Sequence, residues 1–279
     1  MADGTTPLAS NLVHNPPLHC RRYGDRGPTV FLLHGGPGAP GYMAPVARQL
    51  SAVARVIEPY QRRSGASPLT VATHVSDLHA LISAECSAAP PILIGHSWGA
   101  MLAMCFAGEH AGVAASLVLI GCGTFDSAAR ERLLQIREER MTPAMHERKA
   151  RFLKRFSEPD ARLRAMGSFY QRLDSVDPIT HRDETAEFDA RGHDETWTDM
   201  LRLQDKGVYP TAFSGIKSPV LMLHGAQDPH PGPMIRDSLS PHLPQLQYVE
   251  LADCGHYPWL ERAAREEFYN HLTAWIHTN

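Results

Sequence analysis

PILIGHSWGAMLAM, residues 91–104, decides the fold: an apolar run from Pro91 to Ile94, the turn Gly95-His96-Ser97-Trp98-Gly99, then an apolar helical stretch from Ala100 to Met104. Consecutive large apolar residues read as a strand buried on both faces, the kind found in a parallel sheet covered by helices. Strand passes to helix with no spacer, so the turn is sharp and Ser97 sits on a strained backbone whose neighbours two residues away must lack side chains. Gly95 and Gly99 meet that need, and Ala100 lets the helix lie close to the sheet.

A hydroxyl so exposed does chemistry only with a base in reach and a carboxylate behind that base. Val220–Leu223 reads as a buried strand and runs into HGAQD at 224–228, which puts Asp228 on the loop at a strand's carboxyl end. Leu246–Leu251 reads as another strand and runs into ADCGH at 252–256, which puts His256 on the next such loop. Among 16 histidines, His256 stands apart by its preceding Gly255 and its position past the last predicted strand. Asp253 is the competing acid, but it lies too close along the chain to support His256 from behind. His96 and His224 flank strand ends and read as structural; His96 should point away from the pocket if Ser97 points in. A fourth element is the strand Thr29–Leu33 running into HGGPG at 34–38. Acyl transfer places negative charge on a former carbonyl oxygen, and each backbone N–H aimed at it contributes about 2.7–4 kcal/mol. The amides of Trp98 and Gly36 are the candidate donors, Gly36 because the lack of a Cβ lets its amide approach.

The segments HGGPG (34–38), GHSWGA (95–100), HGAQD (224–228) and GHYPW (255–259) resemble the α/β-hydrolase superfamily, in its proline iminopeptidase-like branch. The resemblance implies an α/β-hydrolase fold: a mostly parallel central sheet flanked by helices, with an inserted helical cap. It also implies a serine hydrolase with Ser97, Asp228 and His256 as its triad, needing neither cofactor nor metal. The chain departs from the branch at YQRRSGAS (60–67), where relatives read D-Q-R-G-x-G-x-S, so Tyr60 and Arg63 replace an Asp and a Gly. The W-x-x-W-E element of prolyl iminopeptidases is absent, since the only tryptophans are Trp98, Trp197, Trp259 and Trp275. Glu184, Glu187, Asp189 and Glu195 are the candidate anchors for a substrate amine, against a reading as solvated acidic residues. The expectation is therefore hydrolysis of a small-molecule ester or amide. An N-terminal aminopeptidase, a carbon–carbon hydrolase and a non-catalytic receptor stand as alternatives.

Bulk properties agree with an enzyme of this size. At 279 residues the chain accommodates one α/β core with an insertion, and 43% hydrophobic with 20% charged residues is ordinary for a globular protein. A net charge of −3 favours neither nucleic acid nor an anionic membrane as partner. Met1–Pro17 reads as a loose tail without a signal pattern, and no apolar run is long enough to cross a bilayer. Five cysteines without C-x-x-C spacing point to reduced thiols and a cytoplasmic setting. Strands are predicted at 29–33, 54–58, 91–95, 117–121, 219–223 and 246–251, with an edge strand near 18–23. Helices are predicted near 42–51, 70–87, 98–109 and 261–277. The alternation breaks over 125–214, predicted as a cap with helices near 127–140, 143–157 and 159–173, while 1–124 with 215–279 forms the core. His193-Asp194-Glu195 reads as a polar loop. Met141, Met145, Met166, Phe169, Tyr170 and Trp197 are candidates either to line a substrate pocket or to fasten cap to core, and the sequence assigns no oligomeric state.

Overall fold

In the computed structural model the described residues are 18–279; the expected tail Met1–Pro17 lies outside them. Strand β1 (Cys20–Tyr23) leads to β2 (Thr29–Leu33), helix α1 (Ala44–Leu50), β3 (Arg55–Pro59), α2 (Val71–Glu85), β4 (Ile92–His96), α3 (Trp98–Glu109) and β5 (Ser116–Ile120). Four helices follow: α4 (Ser127–Arg140), α5 (Pro143–Arg155), α6 (Pro159–Leu173) and α7 (Ala190–Asp205). The chain then returns through β6 (Val220–Gly225), α8 (Gly232–Leu239), β7 (Leu246–Leu251) and α9 (Arg265–Thr278).

The strands form one sheet in the order β1-β3-β2-β4-β5-β6-β7. β1 runs antiparallel to β3, and the remaining pairs are parallel, as helical crossovers require. β4 and β5 are buried along their whole length, which is why they read as unbroken apolar runs. Alternation along the strands divides the core in two. Phe31, Leu33, Ile57 and Leu93 face α2 and α3 on one side, while Val30, Leu32, Val56 and Ile92 face α1 and α9 on the other.

Two helices escaped the sequence reading. α7 covers residues 193–195, expected as a polar loop; its charged outer face hides the inward stripe Thr196, Met200, Gln204 at four-residue spacing. Asp189 starts it by accepting the Gly192 amide at 3.0 Å. α8 is short and opens with Gly232-Pro233, so only Ile235 and Leu239 mark its buried face. α5 stops at Arg155 and not at 157, because Glu158 precedes Pro159 and is driven out of the helical region. Among the described residues no helix is long and apolar enough to cross a membrane.

α3 approaches β2 so closely that a Cβ on Gly99 would strike the carbonyl oxygen of Leu33 and lie 2.7 Å from that of His34. Backbone cannot yield as a side chain can. Gly99→Ala is therefore expected to cost about 3 kcal/mol, seen as a lower urea midpoint at an unchanged m-value. A wild-type midpoint would mean that helix and sheet do not pack this tightly.

Candidate active site

Ser97 links β4 to α3 at φ 55° and ψ −117°, a conformation that costs an L-residue of order 1–3 kcal/mol. Its amide donates to the Ile120 carbonyl at 2.9 Å, and its own carbonyl accepts from Ala100 and Met101, which holds the turn in place. The glycines around it divide their duties differently from expectation. A Cβ on Gly35 would lie 2.7 Å from the Ser97 Cβ and 2.6 Å from the Tyr42 hydroxyl, whereas around Gly36 there is space and only its φ of 45° calls for glycine. The Gly35 amide is spent on the Tyr42 hydroxyl at 2.6 Å. The amides of Gly36 and Trp98 donate to no other group among the described residues, and both residues line a cavity of about 640 Å³ together with Ser97.

Asp228 and His256 meet beside that cavity. The imidazole donates Nδ1–H to Asp228 Oδ2 at 2.6 Å, which leaves Nε2 bare, and His256 lines the cavity with Ser97. Their loops are spliced backbone to backbone: Ala226 donates to Leu251 and Gln227 to Cys254, each at 2.9 Å. The His256 amide is held by the Asp174 carbonyl at 2.8 Å. Buried Glu261 accepts the amides of Val176 and Asp177 at 2.9 Å and of Gly255 at 3.1 Å. Asp253 is exposed, whereas Asp228 is buried and bonded to His256. Burial alone would raise the Asp228 carboxyl; the imidazoles of His256, His230 and His224 outweigh it and hold the group well below the ordinary carboxylate range.

His96 does not point away from the pocket. It lines the cavity and donates Nε2–H to the His256 carbonyl at 2.9 Å, an assignment that leaves Nδ1 to accept from the Tyr42 hydroxyl at 2.7 Å. Since Tyr42 also receives the Gly35 amide, one chain of hydrogen bonds joins the glycine loop to the backbone of His256. The Trp98 indole N–H bonds Gln61 Oε1 at 2.8 Å, and Gln61 Nε2 returns to the His34 carbonyl at 2.9 Å, bracing the same loop from the core side.

Of the candidate pocket residues, Met166, Tyr170 and Trp197 line the cavity; Met141, Met145 and Phe169 do not. Glu184 and Glu187 are corrected: neither lines it. Glu184 forms a two-pronged pair with Arg48 at 3.0 and 2.5 Å, and Glu187 pairs with Arg63 beside a separate groove of about 1050 Å³. Asp189 holds Ser64 through its amide and hydroxyl, and Glu195 takes the Leu69 amide. All four acids are thus occupied in fastening 184–195 to the core. The cavity's buried acid is Asp174, which grips Arg137 at 3.1 and 2.5 Å while the guanidinium lies 4.6 Å over the Tyr170 ring. Asp228, His230 and His256 have ligand atoms within 4.8 Å of one another. Both imidazoles donate Nδ1–H to the carboxylate, so the three form a hydrogen-bonded cluster. His230, Tyr42 and Glu261 were missed from sequence. Only His230 left a local trace, standing two residues past Asp228, where an aspartate accepts the following turn's amide.

Two outcomes follow. Tyr42→Phe strands the buried Gly35 amide and His96 Nδ1, so it is expected to cost about 1–3 kcal/mol in chemical denaturation and to slow any reaction at Ser97 more than it weakens substrate binding. Secondly, burial pushes His34, His74 and His230 each down to about 4. Unfolded histidine titrates near 6.5, so the unfolded chain binds more protons between those values and stability must fall as pH drops through that window. Asp228 acts in the same sense but lower down, its contribution being present above the ordinary carboxylate value and lost as pH falls beneath it. Urea midpoints measured from pH 7 to 4.5 should decline with an uptake of three protons or more, because burial also pushes His96 and His224 down; a flat profile would overturn the assignment of neutral buried imidazoles.

Residues 30–268 match the family model described as "Alpha/beta hydrolase family". No curated protein matches the chain in sequence. Among solved structures it is similar to VinJ, at 22% identity and a TM-score of 0.66 over 99% of this chain and 98% of that one. It is also similar to a thermophilic esterase from Thermogutta terrifontis, at 20% identity and TM-score 0.61 over 94% of both chains. A proline iminopeptidase from Mycobacterium smegmatis follows at 19% and 0.60, over 92% of this chain and 93% of that one. Identities this low speak to the fold, and they single out no branch.

Proposed function

The chain belongs to the alpha/beta hydrolase family, and from that premise we propose that it is a serine hydrolase cleaving a carboxylic ester or amide of a small molecule through an acyl-enzyme. Ser97 Oγ attacks the carbonyl carbon while His256 Nε2 takes the hydroxyl proton and passes it to the leaving group. Asp228 keeps Nδ1–H of His256 in place and stabilises the imidazolium that forms. The Gly36 and Trp98 amides, free of protein acceptors, receive the oxyanion. Water then enters, gives its proton to His256 and releases the acid. The chemistry calls on no cofactor.

The observation that carries this reading is the 2.6 Å bond from His256 to a fully buried Asp228, at the wall of the cavity that Ser97 also lines. Residues 125–214 serve as the cap over that cavity, contributing Tyr170 and Trp197 to the substrate's apolar surroundings. The occupied acids at 184–195 support an ester or amide substrate over an N-terminal amine.

A fluorophosphonate probe should label the wild-type protein and leave Ser97→Ala unlabelled. On short p-nitrophenyl esters kcat should fall by about 10⁵-fold or more in Ser97→Ala and by about 10⁴-fold in Asp228→Asn. Absence of labelling in folded wild-type protein would sink the enzyme reading, and faster turnover of a proline arylamide than of the esters would hand the site to the aminopeptidase.

A further inference from the structure

Asp228 serves two imidazoles. Its Oδ2 accepts Nδ1–H of His256 at 2.6 Å, while Oδ1 accepts both the backbone N–H and Nδ1–H of His230 at 2.9 Å. The two rings lie face to face, centroids 4.3 Å apart and planes 19° from parallel, and both residues line the Ser97 cavity. Since each ring spends Nδ1–H on the carboxylate, each leaves Nε2 without a protein partner. The His230 carbonyl in turn receives Nε2–H of His224 at 2.8 Å, which pins the backbone of this turn.

We propose that His230 is a positioning residue of the hydrolase site: stacked on His256 and bonded to the same carboxylate, it fixes the base's ring plane and sets the pH below which that base is lost. The inference rests on the serine-hydrolase reading above. Two positive rings 4.3 Å apart oppose each other, so the two are not charged at the same time. Burial and then the neighbouring His256 push His230 down to about 4, which keeps it neutral. The charged and titratable groups around it are His224 from β6, Asp228 on its own loop, His256 beyond β7 and Arg137 from α4, with His96 of β4 4.6 Å from the His256 ring. A neutral donor on Oδ1 disperses the carboxylate charge, so Asp228 stabilises the His256 imidazolium less than it would alone. Removing that donor should therefore strengthen the hold of Asp228 on His256.

Two variants separate the duties. His230→Phe keeps a flat ring and loses the donor; His230→Asn restores a donor near the Nδ1 position and loses the stack. In kcat/KM–pH profiles on a p-nitrophenyl ester, the acidic limb of His230→Phe should move up by about half a pH unit or more at little change in KM. His230→Asn should keep the wild-type limb with a reduced kcat. If both variants keep the wild-type limb, or both move alike, the inference fails. Histidine C2–H resonances followed by NMR in the intact protein give a readout independent of turnover, with His230→Phe identifying the signal. His230 should stay neutral through pH 5, and a His230 titrating near the ordinary imidazole value would overturn the proposal. Loss of Ser97 labelling in the wild type, by contrast, would remove the hydrolase reading while the NMR result still decided whether His230 is neutral.

Discussion

A carboxylate with no side-chain surface open to water, Asp228, sits at the end of β6. Taking a charge out of water is tolerable only when hydrogen-bond donors replace the lost hydration. Here the replacements are three N–H groups, two from His230 on Oδ1 and one from His256 on Oδ2. The register of β6 and β7, with Gly225 opposite Leu251, brings the two loops side by side so that this can happen. If either loop shifted, a buried charge would stand uncompensated.

The same economy of placement governs the other side of the cavity. Ser97 pays for its unusual backbone with hydrogen bonds at both ends of the turn and with glycines that clear the space around it. Tyr42 and His96 carry the connection onward to the carbonyl of His256, so hydrogen bonds tie the glycine loop to the histidine loop. Rigid support of this kind is what a site needs when geometry must hold within a fraction of an ångström.

The helices between β5 and β6 are joined to the same network. The carbonyl of Asp174 holds the His256 amide, Glu261 gathers the amides of Val176, Asp177 and Gly255, and the Asp174 side chain grips Arg137 at the cavity wall. The cavity wall and the loop that carries His256 therefore share backbone hydrogen bonds. A change in one is felt by the other.

Local sequence determined a good deal of this protein. Unbroken apolar runs marked the strands, Gly95 and Gly99 marked the turn at Ser97, and loops following strands marked Asp228 and His256, because burial on both faces and glycine-only backbone leave their imprint on neighbouring residues. Periodicity reports that a face is buried, though, and is silent on what buries it. Glu184 and Glu187 looked like free acids until Arg48, 136 residues from Glu184, and Arg63 were found against them. Tyr42 carried no local sign of its bond to His96, 54 residues on. The second imidazole on Asp228, the identity of the buried acid at the cavity wall and the glycine that packs on Ser97 were decided only by tertiary structure, where partners far apart in the chain compete for the same few polar atoms.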